Sequence, residues 1–123
     1  MHGCLLVVDD EPDVLDSLRS LLESCGHEVC TAVSAEEAFR MFLTEQPKVA
    51  LVDFKLPGAS GVKFLEWVRA CHSDLQVILI TGFPSDWDLL EHRGRNLHAF
   101  ACLRKPVPTE TLLQVIEEAE GRA

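Results

Sequence analysis

Apolar residues fall along this chain in two alternating patterns, short unbroken runs and longer helical stripes. "CLLVV", "KVALVD" and "QVILIT" carry runs with no polar alternation. Such runs suit strands buried on both faces, as in a parallel sheet. "EVCTA" and "AFACLRK" predict two further strands. Between the strands lie helical segments. "EPDVLDSLRSLLESCGH" has Pro12 for a first turn, Gly26 for a stop and apolar residues at Val14, Leu18, Leu21 and Cys25. Leu15 and Leu22 widen that stripe. "SAEEAFRMFLTEQ" opens on Ser34-x-x-Glu37, a capping box. "GVKFLEWVRACH" predicts a third helix. "SDWDLLEHRG" predicts a short fourth, capped by Ser85 and Asp88 and ended by Gly94. "PTETLLQVIEEAE" predicts a last one, with Leu112, Val115, Ile116 and Ala119 inward.

Strands and helices in strict alternation argue for a doubly wound α/β domain, five parallel strands with helices on both faces. The 123 residues suffice for one core, so the expectation is one domain over 1–123. No linker, low-complexity segment or internal repeat interrupts it. The last helix ends near Glu120, which leaves no room in this sequence for an effector domain.

Composition narrows the function. The chain is 47% hydrophobic and 25% charged, with a net charge of −9. That balance disfavours binding to nucleic-acid phosphates or to anionic lipid. No bilayer-spanning run or secretory signal is visible, so a cytoplasmic location is expected. The five cysteines are odd in number and form no C-x-x-C pair. They read as small buried hydrophobes in a reducing compartment rather than as a zinc site.

In a doubly wound sheet, ligands bind beyond the carboxyl ends of the strands, where the strand order reverses. The polar residues there are Asp9 and Asp10 (with Glu11), then Asp53, then Thr81, then Lys105. Each has an ordinary alternative. Asp10 can start a helix and Asp53 a turn, Thr81 can end a strand, and Lys105 can be solvated. Together they are harder to dismiss, because carboxylates crowded at one edge repel unless a cation sits among them. An oxygen-only set of this kind suits Mg²⁺.

"VVDDEP", "LVDFKLPGASG", "LITG" and "LRKP", in this order on an alternating frame, resemble the receiver domain of bacterial two-component response regulators. The resemblance covers essentially the whole length. It implies that Asp53 is the phosphoacceptor. It also implies that Asp9, Asp10, Asp53 and the backbone carbonyl of Lys55 hold Mg²⁺, and that Thr81 and Lys105 bind phosphoryl oxygens. The Lys105–Pro106 bond is usually cis in that family. The implied partner is a sensor histidine kinase or phosphotransfer protein, and the family admits a homodimer that forms on phosphorylation. Only self-phosphorylation and self-dephosphorylation chemistry is implied, not an enzyme with a separate substrate.

Two features depart from the family. Cys102 stands where an aromatic is usual, three residues before the lysine. The segment from Thr81 to Lys105 is somewhat longer than is common, with "HRGRN" a place for the extra length. Phe100 would share a face with Cys102 if the strand alternated through both. Rival readings are a phosphatase, a flavin-binding domain and a pseudo-receiver that is never phosphorylated. The first lacks a second acid two residues after Asp53, because Lys55 stands there. The second would need a phosphate loop where "DDEPD" repels phosphate. The third sits poorly with a full set of edge residues.

Overall fold

The structure is a computed structural model that describes residues 4–121. The extreme ends of the domain expected over 1–123 lie outside the described residues. Five strands form one sheet: β1 (Leu5–Val8), β2 (Val29–Ala32), β3 (Val49–Asp53), β4 (Gln76–Thr81) and β5 (Ala101–Arg104). All pairings are parallel, in the order β2-β1-β3-β4-β5. The helices are α1 (Pro12–Ser24), α2 (Ala35–Glu45), α3 (Gly61–Ala70), α4 (Trp87–Asn96) and α5 (Thr109–Glu120). The doubly wound architecture read from the sequence is therefore the observed one.

The unbroken apolar runs feed two cores at once, because successive strand residues point to opposite faces. Leu5, Val7, Val49, Leu51, Ile78 and Ile80 pack with Leu15 and Leu22 of α1 and with Leu112, Ile116 and Ala119 of α5. Leu6, Val8, Ala50, Val52, Val77 and Leu79 pack on the other side, against residues of α2, α3 and α4. The order reverses at β1, which has β2 on one flank and β3 on the other. That reversal opens the crevice that receives Asp9 and Asp53.

Several local expectations hold. Ser34 caps α2, its hydroxyl accepting the Glu37 N–H at 3.1 Å. Gly26 ends the first helical segment at φ +93°, where a side chain would be strained. In the last helix Val115 is partly buried beside Leu112, Ile116 and Ala119.

Others are corrected. Cys25 is exposed, and the buried face of α1 is carried by Leu15 and Leu22. The fourth helix is not capped by Ser85 and Asp88. A 3-10 turn (Pro84–Asp86) takes up Ser85, and no side chain caps α4. Nor does Gly94 end that helix. It is buried inside α4, where a Cβ would stand 2.9 Å from Cys102 Sγ and 3.2 Å from Leu79 Cδ1. Its role is close approach of the helix to β5. The fifth strand begins only at Ala101, after the bend that contains Phe100. Phe100 therefore packs with the α1/α5 core, whereas Cys102 packs with the α2/α3/α4 core. Alternation does not carry back to residue 100, so the two do not share a face.

The cysteines also differ from five buried free thiols. Cys4 is disulfide-bonded to Cys30, with Cα atoms 6.2 Å apart. The parallel pairing of β1 with β2 sets Leu6 opposite Cys30, which brings Cys4 diagonally beside it. Cys71 is exposed like Cys25, and Cys102 is half-buried.

Candidate functional site

β1 and β3 end side by side, Val8 opposite Val52. Asp9 leaves β1 and Asp53 closes β3, so backbone register alone brings the two carboxylates together. Asp9 is buried and accepts the Glu11 N–H at 2.9 Å, which fixes its rotamer. Asp10 is exposed. Carboxylate oxygens of Asp9, Asp10 and Asp53 all lie within 4.8 Å of one another. The cluster offers only hard oxygen donors, and neither His nor Cys belongs to it. That donor set fits Mg²⁺.

Lys105 closes the other side. It follows β5, and its N–H donates to the Thr81 carbonyl at 2.8 Å. The Lys105–Pro106 peptide is cis, as the family resemblance implies. Its ammonium lies 3.0 Å from Asp53 Oδ2 and 3.5 Å from Asp9 Oδ2. Burial pulls the Lys105 ammonium toward a lower pKa, but the hydrogen bonds and charges of Asp53 and Asp9 overcome it and hold the pKa above its ordinary value. Burial pushes the Asp53 carboxyl up, Asp9 adds to that, and Lys105 compensates only in part. Metal-free, the ionised Asp53 is thus a group short of positive charge.

Thr81 is buried at the end of β4, one residue past the partner of Asp53. Its hydroxyl accepts the Phe83 N–H at 3.1 Å. The hydroxyl hydrogen remains free to serve as a donor. Asp10, Asp53, Lys55, Phe83 and Lys105 line a cleft of about 530 Å³. All the residues singled out in the sequence thus converge on one edge of the sheet.

Residues 5–117 match the family described as the response regulator receiver domain. The chain belongs to that family. This receiver is 32% identical over 115 residues to the C4-dicarboxylate transport transcriptional regulatory protein DctD of Pseudomonas aeruginosa. The match takes in 94% of this chain and 24% of DctD, so the receiver spans about a quarter of that relative's length. It is also 32% identical over 114 residues to protein PilH of the same organism, covering 91% of this chain and 93% of PilH. A solved response regulator receiver domain protein from Clostridium thermocellum superposes with a TM-score of 0.90 at 34% identity. That superposition covers 98% of this chain and 95% of the other. The receiver is a signal-transduction module, and its family is one of regulatory domains rather than enzymes. No helix among the described residues is long and apolar enough to cross a membrane.

Some contacts of the receiver escaped the sequence reading. Lys55 extends across the cleft mouth, its ammonium 4.7 Å from the Phe83 ring centroid and 3.8 Å from Asp86 Oδ2. Arg104 lies over the Trp87 ring at 4.2 Å. Arg69 donates to the carbonyls of Leu97, Ser73 and His98, tying the end of α4 to α3. A cation just after Asp53 and another just before Lys105 were visible signals, but their partners sit on α4 and depend on the fold. Where the family usually has an aromatic, Cys102 meets Gly94. The two small residues face each other and let α4 sit close to β5.

Proposed function

We propose that Asp53 accepts a phosphoryl group from a phosphohistidine on a sensor histidine kinase or phosphotransfer protein. The carrying observation is a single carboxylate with an ammonium at 3.0 Å on one side and two further carboxylates on the other. An ionised Asp53 oxygen needs no base to attack phosphorus. The new O–P bond forms as the P–N bond breaks, and the electron pair stays on the histidine nitrogen. Lys105 holds one phosphoryl oxygen, and the Thr81 hydroxyl donates to another. Asp9, Asp10, Asp53 and the Lys55 carbonyl are the residues that would hold Mg²⁺. When bound, Mg²⁺ neutralises charge on the phosphoryl oxygens. The acyl phosphate is later lost to water, which resets the switch.

On this reading residues 1–123 form one receiver domain of a cytoplasmic signalling pathway, reading a kinase and passing its state to a partner protein or a second copy. Direct contact with nucleic acid is no part of the reading, because net charge −9 opposes it. Acetyl phosphate with Mg²⁺ should add one phosphoryl group, seen by intact-protein mass spectrometry. Asp53→Asn should add none. Equal labelling of the two proteins overturns the assignment.

The cleft mouth sets the lifetime. Phe83 is half-exposed there, beneath the Lys55 ammonium. The Phe83 ring narrows the approach of water to Asp53. Phe83→Ala is expected to shorten the phosphoryl lifetime several-fold, followed as decay of the phosphorylated mass peak. An unchanged or longer lifetime removes Phe83 from the barrier.

A further inference from the structure

Helix α4 is held differently at its two ends. At the C-terminal end, Arg69 donates to the Leu97 carbonyl at 2.8 Å and to the His98 carbonyl at 3.1 Å. Nearby, Arg93 pairs with Glu66 of α3. At the N-terminal end no side chain caps the first turn. Asp86 occupies the N-cap position, but its backbone is helical (φ −91°, ψ −8°) rather than extended, and its carboxylate caps nothing. Asp86 Oδ2 is buried and has no hydrogen-bond partner. Its countercharge is the Lys55 ammonium, 3.8 Å away.

Lys55 is bound to the site by its own backbone, because its N–H donates to Asp53 Oδ1 at 3.3 Å. Its side chain spans the cleft mouth to Asp86 and Phe83. A phosphoryl group on Asp53 carries about −1.5 to −2 charges, and its oxygens extend beyond the carboxylate into the open cleft that Lys55 also lines. Lys55 is exposed at the mouth of the cleft that Asp53 also lines, which leaves its ammonium free to exchange one anion for the other. Asp86 Oδ2 is then left buried without a countercharge. The uncapped N–H groups of the first turn of α4 are the donors within its own helix.

We propose that Lys55 and Asp86 form a charge relay from Asp53 to the first turn of α4. The relay rests on the phosphoacceptor reading of Asp53. An occupied Asp53 draws Lys55 off Asp86, and Asp86 turns to cap its own helix. The helix pivots about its fixed C-terminal end, and the exposed side chains of Phe83 and Leu89 move with the turn. This route needs no aromatic on β5, where the receiver has Cys102. Lys55 and Asp86 are positioning residues here, and neither reacts.

Trp87 opens α4 and reports on that turn. Trp67 is replaced by Phe to leave one tryptophan. Beryllofluoride with Mg²⁺ is the phosphoryl mimic, and its binding is read separately by fluorine NMR for each variant. Emission is compared at saturation. The parent is expected to show a clear Trp87 change on binding. In Asp86→Ala no cap can form, so emission of the free protein should stay near that of the free parent, and beryllofluoride should add little. Lys55→Met frees Asp86 without the mimic, so its emission should already lie near that of the bound parent, and Lys55→Met/Asp86→Ala should match Asp86→Ala. A full Trp87 change surviving in Asp86→Ala overturns the relay, as does mimic binding to the parent with no Trp87 change. Absence of any beryllofluoride adduct in the parent overturns the phosphoacceptor reading, and the relay falls with it.

Discussion

Gly61→Ala is expected to destabilise the receiver by roughly 3 kcal/mol, at the upper end of what overpacking costs. Gly61 is the first residue of α3, and its N–H donates to the Phe54 carbonyl at 2.8 Å. A Cβ there would press into the carbonyl oxygen of Asp53. It would also stand 3.2 Å from the Asp53 carbonyl carbon and 2.9 Å from Val52 Cγ1. The obstacle is strand backbone, which cannot swing aside as a side chain can. Either α3 lifts from the sheet or the end of β3 shifts, and the second moves Asp53 itself. The better helix propensity of Ala, worth at most about 1 kcal/mol, offsets little of this. Chemical denaturation should show the loss, and phosphoryl uptake from acetyl phosphate should fall with it. Gly26→Ala is the control: nothing lies within 4 Å of a Cβ there, and only its φ of +93° is strained. A Gly61→Ala protein as stable as wild type would falsify the close-contact account.

That glycine shows why the site was legible in the sequence. "LVDFKLPGASG" joins a strand end, a turn and a helix start within one short segment, so its geometry is nearly local. The central strands were legible for a related reason. A strand covered on both faces has no polar position, and its run stands out. Elsewhere a local signal had two meanings. Gly94 serves close approach, and the same residue type also stops helices. Phe100 extends an apolar run past the bend that starts β5, so the run overstated the strand. Pairings set by tertiary structure were not legible at all. The Cys4–Cys30 bond depends on the register of β1 against β2. The reach of Lys55 to Asp86 depends on where α4 lies across the cleft.

Mg²⁺ is expected to raise the melting temperature of the receiver, and Asp10→Asn is expected to raise that of the metal-free protein. Both follow from one imbalance. Three carboxylates share an edge within 4.8 Å, and one ammonium answers them. Burial raises the Asp53 pKa, so the folded state holds its proton more tightly than the unfolded chain does. Metal-free stability therefore falls as pH rises from below the ordinary value of 3.8 through the raised one, and the penalty persists above it. Binding of a cation to the native state reverses the penalty. At a concentration 100-fold above its Kd the gain is about 2.7 kcal/mol, which for a domain of this size is on the order of 10 °C. Asp10 is exposed, so removing its charge relieves at most about 1 kcal/mol of repulsion. The same change deletes a metal ligand, so the variant should lose most of its Mg²⁺ response. Thermal melts at neutral pH, with and without millimolar Mg²⁺, give all four values. The informative pattern is a crossing: the variant melts higher without metal and lower with it. A wild type that ignores Mg²⁺ would remove the metal from this edge, and a metal-free variant that melts lower would show that Asp10 stabilises the fold by some contact other than charge.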